Sequence, residues 1–296
     1  MVIVIVGPTG VGKTKLSIEL AKKLNGEIIN TDSTQVFKTL DIGTAKVTKE
    51  EAQGIPHHLL DIKDITEDYT VYDYQKDSRK CIEDIESRGK LPIMVGGTGL
   101  YIKASLYNYE FDKEDNTNYV DENLSNDELY DILLKIDPNT TIHKNNRKRV
   151  IRSINHYYSS GKLQNTNSDT LLYDALVIGL TTDRDTLYDR INKRVDVMVS
   201  NGLIDEAKKV YESNVRTKAI ITPICYKELF PYFEGSKTLD ECLDDIRKGS
   251  RRYAKRQYTW NNHQFNVNWF DVDFNNFDNT INEILDFIKK RGEVWK

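Results

Sequence analysis

Val2-Ile3-Val4-Ile5-Val6-Gly7-Pro8-Thr9-Gly10-Val11-Gly12-Lys13-Thr14, at the start of the chain, decides the fold. Residues 2–6 form a β-branched run bounded by glycine, the pattern of a strand buried on both faces. Residues 7–14 fit G-x-x-x-x-G-K-[ST] at every fixed position. Leu16, Leu20 and Leu24 then recur at helical spacing, so the loop joins a strand to a helix. The motif needs that context. Glycines let backbone amides turn inward around a phosphate, and the helix N-terminus adds the positive end of its dipole. Lys13 supplies a point charge for the terminal phosphate, and the Thr14 hydroxyl can hold Mg²⁺. A glycine-rich turn without a ligand would not require strand, loop and helix to agree. The stretch therefore reads as a nucleotide-type site for ATP or another di- or triphosphate, in a parallel sheet flanked by helices.

At 296 residues the chain can hold one large α/β domain with an insertion, or two modest domains. A content of 39% hydrophobic and 30% charged residues reads as soluble and globular. No apolar run reaches membrane-span length, and the first strand is too short, with no positive lead, for a signal peptide. A cytoplasmic location is expected. Cys81, Cys225 and Cys242 stand apart with no C-x-x-C pair, which excludes a cysteine-rich zinc module and disfavours a disulfide framework. The net charge of −4 does not by itself mark a nucleic-acid binder. Local clustering of cations weighs more than the total.

Glu27-Ile28-Ile29-Asn30 reads as a second strand, running into Thr31-Asp32-Ser33. Ligands of open α/β sheets lie beyond the carboxyl ends of strands, so Asp32 belongs in the same crevice as the phosphate loop. An Asp before Ser is also a common helix cap or turn former, and position alone does not separate the two. His57-His58 could suggest a metal, but neighbouring side chains point apart and no third ligand stands at useful spacing, which leaves local packing or substrate contact. Residues 69–88 fit a surface helix. Leu91-Pro92-Ile93-Met94-Val95 is another buried strand, and it ends in Gly96-Gly97-Thr98-Gly99. Phosphate-loop hydrolases usually place a Mg²⁺-holding Asp at such a strand end. The glycines and Thr98 favour a second phosphate-contacting turn over activation of water.

The composition shifts from about residue 111 to 169. Residues 112–126 are acidic and Asn-rich and read as a loop, 129–136 as a short helix, and 159–170 as polar loop. Between them five basic residues fall in nine positions from Lys144 to Arg152. We expect a helical insertion at 111–169, with 1–110 and 170–296 forming the core. Residues 173–180 return to strand character, and 187–199 to a helix broken by Gly202. Arg184, Arg190 and Arg194 on that stretch read as a solvated helix face. Residues 247–256 carry six cations in ten positions, with Arg247, Arg251 and Lys255 aligned and Arg252 and Arg256 beside them. Like charges four apart destabilise an isolated helix, so this face calls for a polyanionic partner. Phe274 to Ile288 give an amphipathic C-terminal helix that packs on the core.

Together these pieces resemble the tRNA dimethylallyltransferases. The resemblance rests on GPTGVGKT (7–14), INTDSTQVFKTLDIGTAK (29–46), PHHLLDI (56–62), VGGTGLYIKA (95–104), HKNNRKRVIR (143–152), LYDRINKRVDVM (187–198) and RRYAKRQYTW (251–260), in the family's order across nearly the whole chain. It implies a P-loop NTPase-like fold and transfer of a dimethylallyl group from dimethylallyl diphosphate to the N6 amine of the adenosine 3′ of the anticodon. Gly7, Pro8, Thr9, Gly10, Val11, Gly12, Lys13 and Thr14 would then hold the diphosphate rather than ATP, with Mg²⁺ on Thr14. Lys13 and Thr98 would neutralise charge on the leaving group. Asp32 resembles the family's general base, and Asp32, Ser33, Thr34, Gln35 and Thr98 would contact the target adenosine. Arg147, Lys148, Arg149, Arg152, Arg251, Arg252, Lys255 and Arg256 would follow the phosphates of the tRNA anticodon stem-loop, with one or two arginines reaching the diphosphate. A monomer acting on an extruded base is implied.

Three features depart from the family pattern. Gly10-Val11 replaces Ala-Ser in the phosphate loop, the acidic 111–128 stretch has Asp121 near the place of an expected arginine, and Cys225-Tyr226-Lys227 stands where Gly-Tyr-Lys is usual. No C-terminal zinc finger follows, as expected of a bacterial form. Two other enzymes fit parts of the pattern: a nucleotide kinase, and a prenyltransferase of free adenine nucleotide. A non-catalytic RNA-binding module switched by nucleotide is the remaining class. The kinase leaves the basic insertion unexplained, and the free-nucleotide acceptor leaves two separated basic segments unexplained.

Overall fold

The computed structural model describes residues 1–109, 111, 118–121, 123–163 and 170–294. The acidic-loop expectation falls partly outside these residues, at 112–117 and 122, as does the polar-loop expectation at 164–169. In chain order the elements are β1 Val2–Val6, α1 Lys13–Leu24, β2 Gly26–Asn30, α2 Lys49–Ala52, β3 His57–His58, α3 Val71–Ser87, β4 Leu91–Val95 and α4 Gly99–Leu106. They continue with α5 Asn126–Ile136, α6 Arg147–Ser160, β5 Ala175–Thr181, α7 Arg184–Ser200, α8 Leu203–Glu212, α9 Lys218–Ile221, α10 Phe230–Phe233, α11 Leu239–Gln264, β6 Asn268–Asp271 and α12 Phe277–Val294.

All six strands are parallel, in the order β3-β2-β4-β1-β5-β6. β1 lies at the centre, buried along its whole length. Its alternating side chains feed two layers. Ile3 and Ile5 join the cluster under α1 and α12, and Val2, Val4 and Val6 join the cluster under α3 and α4. A third cluster gathers Val36, Phe37 and Leu40 with residues of α7, α8 and α11. The short strands β3 and β6 carry too few residues to give a period, and only β1, β2, β4 and β5 are legible beforehand. No described helix is long and apolar enough to cross a membrane.

The chain divides into two compact units, residues 1–107 with 171–296, and residues 108–170. The first leaves and resumes at one place: Tyr107 and Leu171 form an antiparallel bridge, and the Leu172 amide donates to the Leu106 carbonyl. The second is a helix pair. Ser125 caps α5 in a reciprocal box with Glu128, and Leu129 and Leu133 pack on Val150 and Ile154 of α6. That packing leaves Lys148, Arg149 and Arg152 exposed on α6.

One buried carboxylate ties the β3 side of the sheet together. Glu27 of β2 accepts from Arg88 at 2.6 and 2.8 Å and from Lys90 at 2.6 Å, and its Oε2 lies 2.7 Å from His58 Nε2. This accounts for one of the paired histidines. The other, His57, has Nδ1 2.8 Å from the Ile55 carbonyl, and burial pulls its pKa down. The Arg88 hydrogen bonds above all hold the Glu27 carboxyl well below the usual range. A depressed carboxylate adds stability above its unfolded pKa and loses it as pH falls through the folded one. Its partners are themselves partly exposed, so screening limits the gain. Glu27→Gln should cost about 2 kcal/mol at neutral pH, read from the urea midpoint. It should also flatten the loss of stability below about pH 4.5. An unchanged acid limb would remove Glu27 as its source.

Candidate active site

The carboxyl ends of β1, β2 and β4 lie side by side because β4 pairs with both neighbours, Ile5 opposite Val95 and Asn30 opposite Val95. The three turns that follow line one cavity of about 790 Å³. Thr9, Gly10, Gly12, Lys13 and Thr14 enter from the first turn, Asp32 to Gln35 from the second, and Gly96, Gly97 and Thr98 from the third. Arg190, Lys193 and Arg194 of α7, with Tyr253, Arg256 and Gln257 of α11, complete it.

In the phosphate loop Gly12 caps α1 at φ 101°, and a Cβ there would stand 2.8 Å from the Phe277 ring, so α12 closes against the loop only through glycine. Lys13 Nζ donates to the carbonyls of Gly7 at 2.9 Å and Pro8 at 2.8 Å. The Val11 side chain is fully buried in the core, and Gly7, Pro8 and Val11 are not among the cavity-lining residues. Thr14 lines the cavity, and its carbonyl accepts from the Ser17 hydroxyl at 2.9 Å.

Arg190 and Arg194 correct the solvated-face reading. Arg194 donates to Thr9 Oγ1 at 3.2 Å, and burial lowers its pKa. Arg190 donates from Nε to the Gly10 carbonyl at 3.0 Å, with its guanidinium 3.8 Å from the centre of the Phe274 ring. Their i,i+4 spacing on a helix was the one available sign that both share a face. Nothing in the sequence said which way that face turns.

On the opposite wall Asp32 Oδ1 accepts from the Thr34 amide at 2.9 Å and the Thr34 hydroxyl at 2.6 Å. The Asp32 amide donates to Asn30 Oδ1, which fixes the turn from both sides. Oδ1 thus serves the turn, and Oδ2 lies 3.0 Å from where a Gly97 Cβ would stand. Gly96 is sterically required, since a Cβ there would sit 2.5 Å from the Thr31 backbone. Thr98 Oγ1 accepts from the Ser33 amide at 3.0 Å and donates to the Ser33 hydroxyl at 3.1 Å.

The loop after Gln35 is held from outside. Glu206 of α8 accepts from the amides of Asp41, Ile42 and Gly43 and from the Tyr226 hydroxyl. Buried Lys46 donates to the Phe37 carbonyl, Asp41 and Asp61. Gln35 Nε2 in turn donates to the Thr44 carbonyl, which orients the side chain at the cavity wall. Cys225 also lines the cavity, at φ 124°, a conformation that favours glycine.

The predicted basic segments divide. Arg251 donates to Asn192 at 2.6 Å, and Arg247 pairs with Asp196 and Asp244, so both are engaged within the protein. Arg252, Lys255 and Arg256 are exposed on α11. Arg147 donates to Asn126, within the separate 108–170 unit. The described residues contain no group of three His, Cys, Asp or Glu able to hold a metal. A Mg²⁺ ion that keeps waters and takes its other oxygens from a diphosphate asks less of the protein, and the Thr14 hydroxyl fits that role.

Lys13 provides a direct test of the cradle. Burial above all, then Arg194, lowers its pKa to about 7, with Asp32 pulling the other way. An anion bound beside it favours the ammonium, so pyrophosphate binding at about pH 8.5 should add about one proton at Lys13, beyond any exchange of the pyrophosphate itself. Calorimetry in two buffers of different ionisation enthalpy reads this uptake, and Lys13→Met should abolish it. The same buffer dependence in wild type and Lys13→Met would place the pyrophosphate away from Lys13.

Comparison with known proteins agrees in one direction. The IPP transferase family model matches residues 35–264. The chain is 51% identical over 298 residues to the tRNA dimethylallyltransferase of Anoxybacillus flavithermus, covering 97% of this chain and 96% of that protein. The Bacillus subtilis enzyme of the same name is 48% identical over 284 residues, covering 92% and 90%. Among solved structures, the tRNA isopentenylpyrophosphate transferase of Staphylococcus epidermidis superposes with a TM-score of 0.75 at 42% identity, covering 98% of this chain and 99% of that one. A eukaryotic dimethylallyltransferase described as acting on tRNA superposes at 0.84 with 34% identity, covering 98% and 79%. A phosphate loop facing a turn-bound aspartate, with this likeness along the chain, shows that the protein belongs to the IPP transferase family, the tRNA dimethylallyltransferases.

Proposed function

We propose that the protein transfers the dimethylallyl group of dimethylallyl diphosphate to the exocyclic N6 amine of the adenosine 3′ of the anticodon in tRNA, acting as a cytoplasmic monomer. One observation carries the reading: a single cavity has a phosphate cradle on one wall and Asp32, with one oxygen committed and one open, on another.

In this reading the diphosphate occupies the loop 7–14, and Lys13 exchanges its two carbonyl partners for phosphate oxygens. Arg190 and Arg194 add charge where it builds up as the allylic C1–O bond breaks. The pyrophosphate leaves with the electron pair of that bond, the adenine N6 forms the new bond to C1, and the N6 proton passes to Asp32. Thr34 holds Asp32 in place, and Thr98 and Ser33 fix the turn that faces it. Gln35 presents its amide to the acceptor. A Mg²⁺ ion held by Thr14 would share the leaving-group charge as a Lewis acid. The acceptor is extruded from its loop to reach so enclosed a place. Arg252, Lys255 and Arg256 on α11, and Lys148, Arg149 and Arg152 on α6, follow the tRNA phosphates. Arg251 contributes less, since Asn192 already holds it.

The deciding experiment supplies labelled dimethylallyl diphosphate, Mg²⁺ and unmodified tRNA, beside a control of ATP with a nucleoside monophosphate. Label in the tRNA supports the transferase. Phosphate moved from ATP without label in the tRNA would replace it with the kinase. Asp32→Ala should lower kcat about 10²- to 10⁴-fold while tRNA affinity stays near wild type, and a variant with undiminished turnover would take Asp32 out of the mechanism. Arg252→Ala with Lys255→Ala should weaken tRNA binding and reduce the salt slope by about one for each lost phosphate contact. A slope equal to the wild type would turn that face away from the RNA.

A further inference from the structure

Gln257 follows directly on the basic segment of α11 yet is buried, unlike Arg256 and Tyr258 on either side. Tyr253 and Gln257 are one helical turn apart on the inward face, with Arg256 at the cavity rim, while Arg252 and Lys255 face outward. The Gln257 amide has both ends occupied. Oε1 accepts from the Thr9 amide at 3.0 Å, and Nε2 donates to the Gly97 carbonyl at 3.1 Å. One side chain thus joins the phosphate loop to the Gly96-Gly97-Thr98 turn, two segments far apart in sequence.

We infer that Gln257 is a positioning residue that sets the distance between the donor cradle and the acceptor side of the cavity, resting on the transferase reading above. The geometry explains why an amide is needed. The Thr9 amide takes an acceptor and the Gly97 carbonyl, which also accepts from the Tyr253 hydroxyl at 3.1 Å, takes a donor; a side chain carrying both at this reach joins the two segments, which the Tyr253 hydroxyl does not. Gly97 is tightly enclosed as well: a Cβ there would meet Gln257 Nε2 at 2.7 Å, Asp32 Oδ2 at 3.0 Å and the Tyr253 hydroxyl at 3.0 Å. A shift of the Gly97 turn therefore moves the surroundings of Asp32 directly, while the phosphate loop on the other end of Gln257 holds the leaving group. Transfer between two bound reactants depends steeply on such alignment, since small displacements of reacting groups are costly even when both still bind. The predicted signature is a defect in turnover with little change in binding of either substrate.

Two variants separate the arms. Gln257→Met keeps the shape and removes both hydrogen bonds. Gln257→Glu keeps an acceptor for Thr9 and sets an oxygen against the Gly97 carbonyl. Each is compared with wild type for kcat, for the Kd of pyrophosphate and of tRNA, and for melting temperature. Positioning predicts that kcat falls roughly tenfold or more in both variants while both Kd values stay within about threefold of wild type. A kcat within about threefold of wild type in either folded variant would overturn it. A fall in kcat/KM matched by weaker pyrophosphate binding would also overturn it, by making Gln257 part of the cradle alone. If Gln257→Met fails to fold, Gln257→Glu still decides the question. A wild-type protein that transfers no label fails the function itself, which is a different result from an inactive variant beside an active wild type.

Discussion

Parallel pairing of β4 between β1 and β2 is the constraint on which the site depends. Because both pairings are in register up to Val95, three chain segments turn at one level of the sheet. A strand order that separated β1 from β4 would leave a phosphate loop without an opposing wall. Backbone hydrogen bonds of the central sheet, buried under α1, α12, α3 and α4, therefore fix distances that no single side chain sets. The side chains then refine what the sheet has placed, Thr34 on Asp32, Ser33 on Thr98, and Glu206 on the 41–43 backbone.

The electrostatics are lopsided. Lys13, Arg190 and Arg194 converge on the phosphate loop, and they face Asp32 within the same cavity. Cations gathered in a partly desolvated place repel one another and lose hydration, which costs stability until an anion arrives. The lowered pKa of Lys13 is the local expression of that cost. A site so arranged has little affinity for neutral ligands and gains most when a polyphosphate supplies the missing negative charge. The surface of α11 extends the same sign outward through Arg252, Lys255 and Arg256, where hydration makes it far less expensive.

Much of this was legible in the sequence. The strand-loop-helix at residues 2–24 and the buried run 91–95 gave the parallel α/β class, since contiguous β-branched runs and a phosphate loop leave few alternatives. Asp32 and Thr98 were legible as crevice residues from their place after strands. The direction of α7 was not, because a helix carrying Arg184, Arg190 and Arg194 presents the same pattern whether it faces water or a cavity. Gln257 was hidden for a related reason: directly after Lys255 and Arg256, it looks like one more polar residue of a solvated face. The strands β3 and β6 were too short to show a period. Glu206 gave no signal, because a carboxylate that receives backbone amides leaves no pairing in sequence.

The bridge between Tyr107 and Leu171 has a consequence for how the chain tolerates change. Everything between those two residues begins and ends at a single clasp, so β5 starts from the same point whatever happens in between. Loop-closure entropy grows only logarithmically with length, about 0.6 kcal/mol for each doubling. Residues can therefore be gained or lost within 108–170 without altering the alignment of β5 on β1. The segment enters and leaves the core at one point of the backbone, so its length is a separate variable from the register of the sheet.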